Sequence, residues 1–472
     1  MLTEKDKIKH LYYRAGFSLN LNDWKNKIVL TDVLRDLFKT TSNYNTLQAV
    51  TLAEVTAANE KIKSLPKEEK KDLKQILKDN VFELNQLWLQ EMIHSEAQLQ
   101  EKMALFWHGH FACRSANPYF DQQYLDVIRK NALGNFGVML YEISKTPAML
   151  QYLNNQQNKK DHPNENFARE VMELFTLGRG NYTEQDVKEA ARAFTGFGFN
   201  KEGEFKFRTQ WHDFDNKTFQ HKTGNFSGED ILDIILEKKE CAYFITKKIY
   251  TFFVNDEVDE KIVQQLSELF YQSNYDIKSL MKEIFFSDWF YYEKNIGTKI
   301  KSPIELIAGM FRVIPNHFEN TDGYLFIQRT LGQILLNPPN VAGWKGGRSW
   351  IDSSSLLFRM RLPQIIYYDK ELDISPKEET PEMGAMKLKM VNEYVQKMAF
   401  KKLNAQPDWK SITAYFSLSN NLIQEIPRIL LAKKPDTLAI KCIKSYADTS
   451  TKENEIKSIL IETMSLPEYQ LC

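Results

Sequence analysis

The stretch from residue 164 to residue 198 constrains the fold of this chain most, because it carries the signals of a helical hairpin. Gly178 stands where glycine often follows the last residue of a helix, which predicts that a first helix ends near Leu177. Thr183, with Asp186 three residues later, resembles the capping box that begins a helix. We therefore expect two consecutive helices joined by a short turn.

The first of these helices carries a polar stripe. At about 100° per residue, Asn166, Glu170, Glu173 and Leu177 fall on one line, opposite the apolar residues. One interpretation is that this stripe faces water. The other is that the helix is buried, in which case Glu170 and Glu173 need a cation, because two close carboxylates do not both stay charged without one. Arg169 or a divalent metal ion would supply that charge.

Helical periodicity recurs through most of the 472 residues, and it predicts a mainly α protein built as a large multi-helix domain. One segment departs from this pattern. Aromatic and charged residues alternate around Phe205 and Phe207, as in a half-exposed strand. We therefore expect a small β-hairpin inserted near residues 203–220.

The chain changes character after residue 365. The following stretch is charged and contains Pro376 and Pro381, which is typical of a linker. Amphipathic segments beyond it, the first over residues 386–403, predict a helical C-terminal appendage. The sequence thus predicts three parts, namely a main helical domain over residues 1–365, a linker over 366–384 and a small helical region over 385–472.

The charge balance limits the classes of partner. Lys and Arg together number 62, as do Asp and Glu, so the chain lacks the positive excess that attracts nucleic acid. Its four cysteines stand far apart, which favours free thiols in a reducing compartment. No apolar run is long enough for a transmembrane segment, and no secretory leader is visible. We expect a cytoplasmic location, unless an upstream leader has been removed.

Two histidines in the segment 106–111 are candidate metal ligands. On a helix, the side chains of His108 and His110 point in different directions. If the chain turns extended at Gly109, a weak helix former, the two imidazoles converge. Neutral imidazole is the commonest metal ligand. The alternative is a helix end at which one histidine is a cap and the other is part of the core.

A second group lies in the strand-like region. His212 and Asp213 could provide a metal ligand and a general base on a loop, and Lys217 could bind an anion. A turn built on Asp215 and Asn216 explains the same residues without any function.

The segment 337–350 combines glycine with tryptophan. Its three glycines would let backbone amides approach a ligand, and Trp344 and Trp350 offer flat surfaces that stack on sugars or cations. Lys345 and Arg348 lie between the two tryptophans and are further candidates for substrate contacts. The alternative is a packed loop that the tryptophans anchor.

Taken in order, these motifs resemble a bacterial family catalogued as domain of unknown function 1800. The resemblance covers about residues 8–361 and does not include the tail. The residues that carry it are His10–Phe17, Phe106–Phe111, Asn164–Gly178, Ala191–Gly196, His212–Asp213 and Pro338–Trp344.

The resemblance implies a partner rather than an activity, because no activity is established for the family. Genes of the family commonly lie beside those of a sulfatase-like family, which implies a shared pathway or complex. Many members look exported. The family often has Asn at the position of Gly109 and Trp at the position of Phe197. Five candidate residues match its pattern, namely His108, His110, Glu170, Glu173 and His212.

Our hypothesis from the sequence is a metal-dependent, hydrolase-like enzyme that acts on a saccharide or on its sulfate or phosphate ester. A divalent metal ion held by His108, His110 and His212 would lower the pKa of bound water to about 7. The candidate catalytic residues are Glu170, Glu173 and Asp213. The candidate substrate-binding residues are Asn166, Arg169, Lys217, Trp344, Lys345, Arg348 and Trp350.

Two alternatives come from other classes of protein. In a non-catalytic helical scaffold or binding protein, the same ionisable residues form a buried network, and the tryptophan loop docks the sulfatase-like partner. In a saccharide-binding module, the tryptophan loop binds a saccharide ligand and no metal is needed.

Overall fold

The computed structural model of the protein describes residues 2–64, 66–115, 117–371 and 402–472. The described part is mainly α-helical, as the periodicity predicts, and contains 22 α-helices. The helices of the first half are α1 Glu4–Ala15, α2 Leu21–Asn26, α3 Leu30–Lys39, α4 Leu52–Ser64, α5 Lys67–His94, α6 Gln98–His110, α7 Pro118–Asn131, α8 Phe136–Lys145, α9 Pro147–Tyr152, α10 Glu165–Glu170 and α11 Glu184–Ala193. Those of the second half are α12 Gly228–Leu236, α13 Lys239–Phe253, α14 Glu260–Gln272, α15 Ile277–Phe286, α16 Pro303–Val313, α17 Asp322–Leu331, α18 Ser353–Tyr367, α19 Trp409–Phe416, α20 Leu422–Leu430, α21 Thr437–Tyr446 and α22 Lys452–Met464.

The helical hairpin that the sequence predicts is present. Thr183 caps α11, and its hydroxyl and backbone form the reciprocal capping box with Asp186. Gly178 adopts the left-handed conformation, with φ +78°, just beyond the first helical arm. That arm is not one regular helix, because α10 ends at Glu170 and a π-helix continues over Val171–Thr176.

Short antiparallel strand pairs complete the described part. The predicted hairpin near residues 203–220 is instead two hairpins, because the chain folds into a 3₁₀ turn over Thr209–Trp211. That turn ends the alternating pattern before the next strand begins. The pairs are β1 Phe197–Phe199 with β2 Phe205–Phe207, β3 Lys217–Phe219 with β4 Lys222–Gly224, and β5 Asn316–Phe318 with β6 Ala405–Pro407.

The C-terminal helices share one hydrophobic core with the rest of the described chain, since a single cluster runs from Ile8 to Tyr469. Backbone contacts reinforce this packing. β5 pairs with β6 across the undescribed segment, and Ile300 forms a bridge with Leu471. The predicted linker beyond residue 371 and the predicted helix over 386–403, up to residue 401, lie outside the described residues.

Among the helices that are described, none combines the length and the apolar character that crossing a membrane requires.

Candidate functional site

The two histidines of the first motif point to different neighbours. Helix α6 continues through Gly109 and ends at His110, so the chain does not turn extended between the histidines. His108 and His110 therefore leave the helix in different directions. The two imidazoles do not converge on a shared ligand, because that convergence required an extended chain at Gly109.

His108 holds the tryptophan loop against the core. Its imidazole is fully buried, and burial lowers its pKa to about 3, so the ring is neutral. Nε2 accepts a hydrogen bond of 3.2 Å from the backbone N–H of Leu336, a residue in the left-handed conformation with φ +63°. The indole of Trp344 stacks on the same imidazole, with 5.5 Å between ring centroids and 26° between planes.

One glycine, Gly343, lets the loop approach the helix. Gly343 has φ +71°, and a Cβ atom placed on it would lie 2.3 Å from the carbonyl oxygen of Gly109. No larger residue fits there without a shift of the backbone. A Cβ atom placed on Gly109 itself would meet no neighbouring atom within 4 Å, so the close contact depends on Gly343. The first and fourth sequence motifs thus meet directly.

His110 caps the end of the π-helix. Its Nε2–H donates to the carbonyl of Phe175 at 3.0 Å, and its Nδ1 accepts from the ammonium of Lys248 at 3.1 Å. Lys248 also donates to the carbonyl of Leu174 at 3.0 Å. Burial lowers the pKa of His110 well below its usual value and that of Lys248 to about 8.

The π-helix explains why these carbonyls need partners from the side chains. The backbone N–H groups of Leu177 and Gly178 both donate to the carbonyl of Met172, so they do not reach the later carbonyls of the turn. Carbonyls left over at a helix end are bonded by side chains or water. Short π-helical segments occur often at functional sites. No spacing in the sequence indicates this one.

The two glutamates of the polar stripe differ in their environments. Glu173 accepts hydrogen bonds from Arg179 at 2.7 Å and from the hydroxyl of Tyr182 at 2.8 Å, and these bonds lower its pKa. Glu170 is half-buried and has no hydrogen bond or ion pair within the described residues. Burial and the nearby charge of Glu173 raise the pKa of Glu170.

Arg169 and Asn166, the other candidate residues of this helix, have structural partners. Arg169 pairs with Glu184 through two hydrogen bonds of 2.7 and 2.8 Å and with Glu165 at 3.1 Å, so it ties the two arms of the hairpin together. It forms no ion pair with Glu170, contrary to one interpretation of the stripe. Asn166 donates to the carbonyl of Leu153, which places this face of α10 against the end of α9.

The third motif forms a compact turn. Arg192 of α11 donates to both carboxylate oxygens of Asp213, at 2.7 and 3.3 Å. His212 donates from Nδ1 to the carbonyl of Thr195 at 2.8 Å. The ammonium of Lys217, which is only 1% exposed, donates to backbone carbonyls of the same turn. These contacts agree with the structural interpretation of the motif.

The described residues contain no group of three or more His, Cys, Asp or Glu side chains that could hold a metal ion. His108, His110 and His212 each bond to a different backbone group, and His110 also faces an ammonium group, which repels a cation. These donors do not fit a shared divalent metal ion. The metal centre stays a prediction that this geometry does not favour.

A different set of polar side chains comes together beside the tryptophan loop. Arg114 follows α6 and donates to the side-chain oxygen of Asn337 at 3.4 Å. Tyr152 lies at the end of α9; burial raises the pKa of its hydroxyl, and the charges of Arg114 and Glu170 act on it in opposite directions. All four side chains are half-buried. We call Arg114, Tyr152, Glu170 and Asn337 the Arg114 cluster.

The tryptophan loop lies at one side of this cluster, since Asn337 opens the segment that leads to Trp344. Trp344 is half-buried, whereas Lys345 and Arg348 are exposed. Trp350 is buried, with 9% exposure, and its carbonyl accepts from the hydroxyl of Ser355 at 3.1 Å. Trp350 is therefore an anchor of the loop.

Besides Glu170, two residues of the Arg114 cluster stand in or close to the sequence motifs. Arg114 stands four residues after His110, and Asn337 is the first residue of the tryptophan segment. Tyr152 has no signal in the sequence, because only the packing of α9 against α10 brings it near Glu170.

Comparison with known proteins identifies the family. Searches of the curated proteins and of the solved structures find no match. The family model described as "Protein of unknown function (DUF1800)" matches residues 10–471. The sequence motifs support the resemblance only to about residue 361, but the match includes the tail, whose helices pack in the same core. The chain therefore belongs to the DUF1800 family of proteins of unknown function.

Proposed function

We propose that the protein binds a hydroxyl-rich, anionic ligand, such as a saccharide that carries a sulfate or phosphate group, at the Arg114 cluster. One observation carries this proposal. Arg114 and Glu170 are half-buried side chains of opposite charge, both charges act on Tyr152, and neither side chain has an ion pair within the described residues. Half-buried charges without a partner are costly to keep, and they are common where a ligand binds.

Arg114 is suited to the anionic group of the ligand. A guanidinium offers five N–H donors in a planar fork that matches the oxygens of sulfate or phosphate. Only one hydrogen bond, to Asn337, uses this fork within the described residues. That bond also fixes the guanidinium beside the tryptophan loop, so an anion bound there would hold the rest of the ligand near Trp344.

Trp344 and Glu170 are suited to the neutral part of the ligand. One face of the Trp344 indole is covered by His108, and the side chain as a whole stays half-exposed. A flat aromatic surface of this kind binds the apolar face of a sugar ring. The carboxyl group of Glu170 and the hydroxyl of Tyr152 can hydrogen-bond to sugar hydroxyls.

Hydrolysis of the ligand is a second candidate function, and the environment of Glu170 favours it. A carboxyl group whose pKa is raised by burial and by a neighbouring carboxylate keeps a proton at higher pH than usual. A general acid needs this property. The mechanism would use no metal ion. The metal-dependent hydrolase indicated by the sequence is tested separately, by elemental analysis of protein purified without chelators.

Binding to an array of neutral, sulfated and phosphorylated oligosaccharides tests the proposal. We expect the wild-type protein to retain sulfated or phosphorylated glycans and to bind the matching neutral glycans at least about tenfold more weakly, which corresponds to about 1.4 kcal/mol. Arg114→Met should remove this preference. Arg35→Met is the matched control, because Arg35 is exposed and pairs only with Asp32.

Failure to bind any charged glycan in preference to its neutral form would refute the proposed ligand class. An equal loss of binding in Arg114→Met and Arg35→Met would refute the role of the Arg114 cluster. For hydrolysis, the decisive comparison is product release from a bound glycan by wild type and by Glu170→Gln. Release that is unchanged in Glu170→Gln would remove Glu170 as the acid.

A further inference from the structure

The segment His10–Phe17 takes no part in the Arg114 cluster. It lies at the end of α1 and buries Arg14, which is only 2% exposed. One terminal nitrogen of Arg14, Nη2, donates to the carbonyl of Asn295 at 2.8 Å and to the hydroxyl of Thr298 at 3.3 Å. Its Nε and Nη1 groups are buried and have no hydrogen-bond partner within the described residues. Buried N–H groups of a guanidinium normally have acceptors.

A second buried arginine faces the same short segment of chain. Arg359 of α18 is fully buried, and its Nη1 donates to the carbonyl of Lys301 at 2.9 Å. Its Nε and Nη2 groups also lack partners in the described part of the protein. Arg14 and Arg359 thus hold two ends of the segment from Asn295 to Lys301.

Lys301 adds a third buried cation. Its ammonium lies 4.7 Å from the ring centre of Tyr13 and 3.8 Å from that of Tyr469, and it donates to the carbonyl of Tyr469 at 2.7 Å. Burial lowers the pKa of Lys301 to about 7. No carboxylate of the described residues forms an ion pair with it.

The carboxylate of Glu305, whose charge acts on the pKa of all three cations, already has a partner. Glu305 pairs with the ammonium of Lys102 and accepts the backbone N–H of Ser302 at 2.7 Å. Glu305 and Cys472 contribute to the pKa values of Arg14 and Lys301, but no hydrogen bond or ion pair joins either residue to these two side chains. Within the described residues, the three cations therefore have neither a paired counter-charge nor enough acceptors.

We propose that Arg14, Lys301 and Arg359 together bind a small inorganic anion, either a halide or an oxyanion such as phosphate. The anion would accept hydrogen bonds from the unpartnered guanidinium N–H groups and would offset the excess of buried positive charge. Since the unfolded chain has no such site, the bound anion would stabilise the folded protein. This inference does not depend on the Arg114 cluster.

Two measurements on the wild-type protein test the proposal. The protein is exchanged into a gluconate buffer and denatured, and the released chloride and phosphate are measured by ion chromatography. In parallel, thermal unfolding is followed at constant ionic strength while sodium chloride or sodium phosphate replaces sodium gluconate. We expect either about one mole of retained anion per mole of protein or a saturable rise of the midpoint by at least about 3 °C.

The identity of the anion follows from which salt produces the effect. Arg14→Lys and Arg359→Lys keep the buried charge but remove the fork of donors, so each should weaken the binding of the anion at least tenfold. Arg35→Lys, at an exposed position, should not. Crystals grown in bromide give a test that needs no variant, with an anomalous peak expected beside Arg14 or Arg359. If no anion is retained, neither salt shifts the midpoint and only water occupies the place in crystals, the proposal is overturned.

Discussion

The imidazole of His108 and the indole of Trp344 stack on each other, although 236 residues separate them along the chain (344 − 108). This contact joins the end of α6 to the tryptophan loop and places the loop beside Arg114. It gives the histidine a structural role, because a ring that is neutral, buried and covered by an indole has little access to solvent.

Removing the indole should therefore destabilise the protein as well as the proposed binding surface. We expect Trp344→Ala to lower the free energy of unfolding by about 2–3 kcal/mol, since a half-buried aromatic ring and its stacking contact are lost. Trp344→Phe keeps a ring against His108 and should cost less than half as much. Urea unfolding followed by circular dichroism measures both. Equal losses of unfolding free energy in the two variants would show that the stacking contact does not contribute to stability.

The close approach of Gly343 to Gly109 makes a second prediction. In Gly343→Ala, the new Cβ would meet the Gly109 carbonyl oxygen at 2.3 Å, so we expect a loss of more than about 3 kcal/mol in stability. Gly332→Ala is the matched control. Gly332 adopts the left-handed conformation with φ +85° and ψ 19°, and a Cβ atom there would meet no atom within 4 Å, so only backbone strain of about 1 kcal/mol is expected. Similar losses of stability in both variants would contradict the close approach of Gly343 to Gly109.

Substitutions of two neighbouring lysines test whether Lys248 stabilises the end of the π-helix. Lys248→Met leaves the Leu174 carbonyl and the Nδ1 atom of His110 buried without a donor, and we expect a loss of about 2–3 kcal/mol. Lys247→Met removes an exposed ion pair with Glu260 and a long contact of 3.4 Å with the hydroxyl of Tyr243, and it should cost less than about 1 kcal/mol. Thermal or chemical unfolding of both variants gives the comparison. A loss in Lys248→Met no larger than in Lys247→Met would argue against the cap.

The adjacent glutamates should respond to pH in opposite ways. The pKa of Glu170 is raised above its usual 4.5, so its favourable contribution to stability is present below that value and is lost as the pH rises. The pKa of Glu173 is lowered, so its contribution is present above 4.5 and is lost as the pH falls. Near pH 7, Glu170→Gln should raise the thermal midpoint by about 1–2 °C, whereas Glu173→Gln should lower it.

The same two variants at about pH 3.5 provide the control, because Glu170, whose pKa lies above 4.5, is then protonated and the contribution of Glu173 shrinks as the pH falls towards its lowered pKa. Each variant should differ less from wild type there than at pH 7. A gain in Glu170→Gln that is the same at both pH values would mean that charge is not its cause.

Much of the fold follows from local sequence signals. The capping box at Thr183 and the glycine after the first helix identify the hairpin, because these residues act through contacts within a few positions of the chain. The π-helix between them has no such local signal, since it depends on side chains of α6 and α13 that bind its last carbonyls. The sequence predicts one hairpin near residues 203–220, whereas the structure has two, because β2 pairs with the preceding β1 and a 3₁₀ turn separates β2 from β3.

The site was harder to predict than the fold. Residue type and spacing select Glu170 and Trp344 of the proposed site, but they also select Arg169 and Asp213, which form ion pairs with Glu184 and Arg192. A sequence does not show which charges find partners within the chain. Arg114 was missed for the same reason, since only its lack of an ion pair distinguishes it. The sulfatase-like partner and the cytoplasmic location stay predictions.

The central claim is that the Arg114 cluster binds an anionic saccharide, and a crystal structure of the protein soaked with a sulfated monosaccharide tests it most directly. We predict that the sulfate group lies within hydrogen-bonding distance, about 3 Å, of the Arg114 guanidinium, with the sugar ring against Trp344. A sugar bound elsewhere on the protein, with the Arg114 cluster unchanged, would contradict the claim.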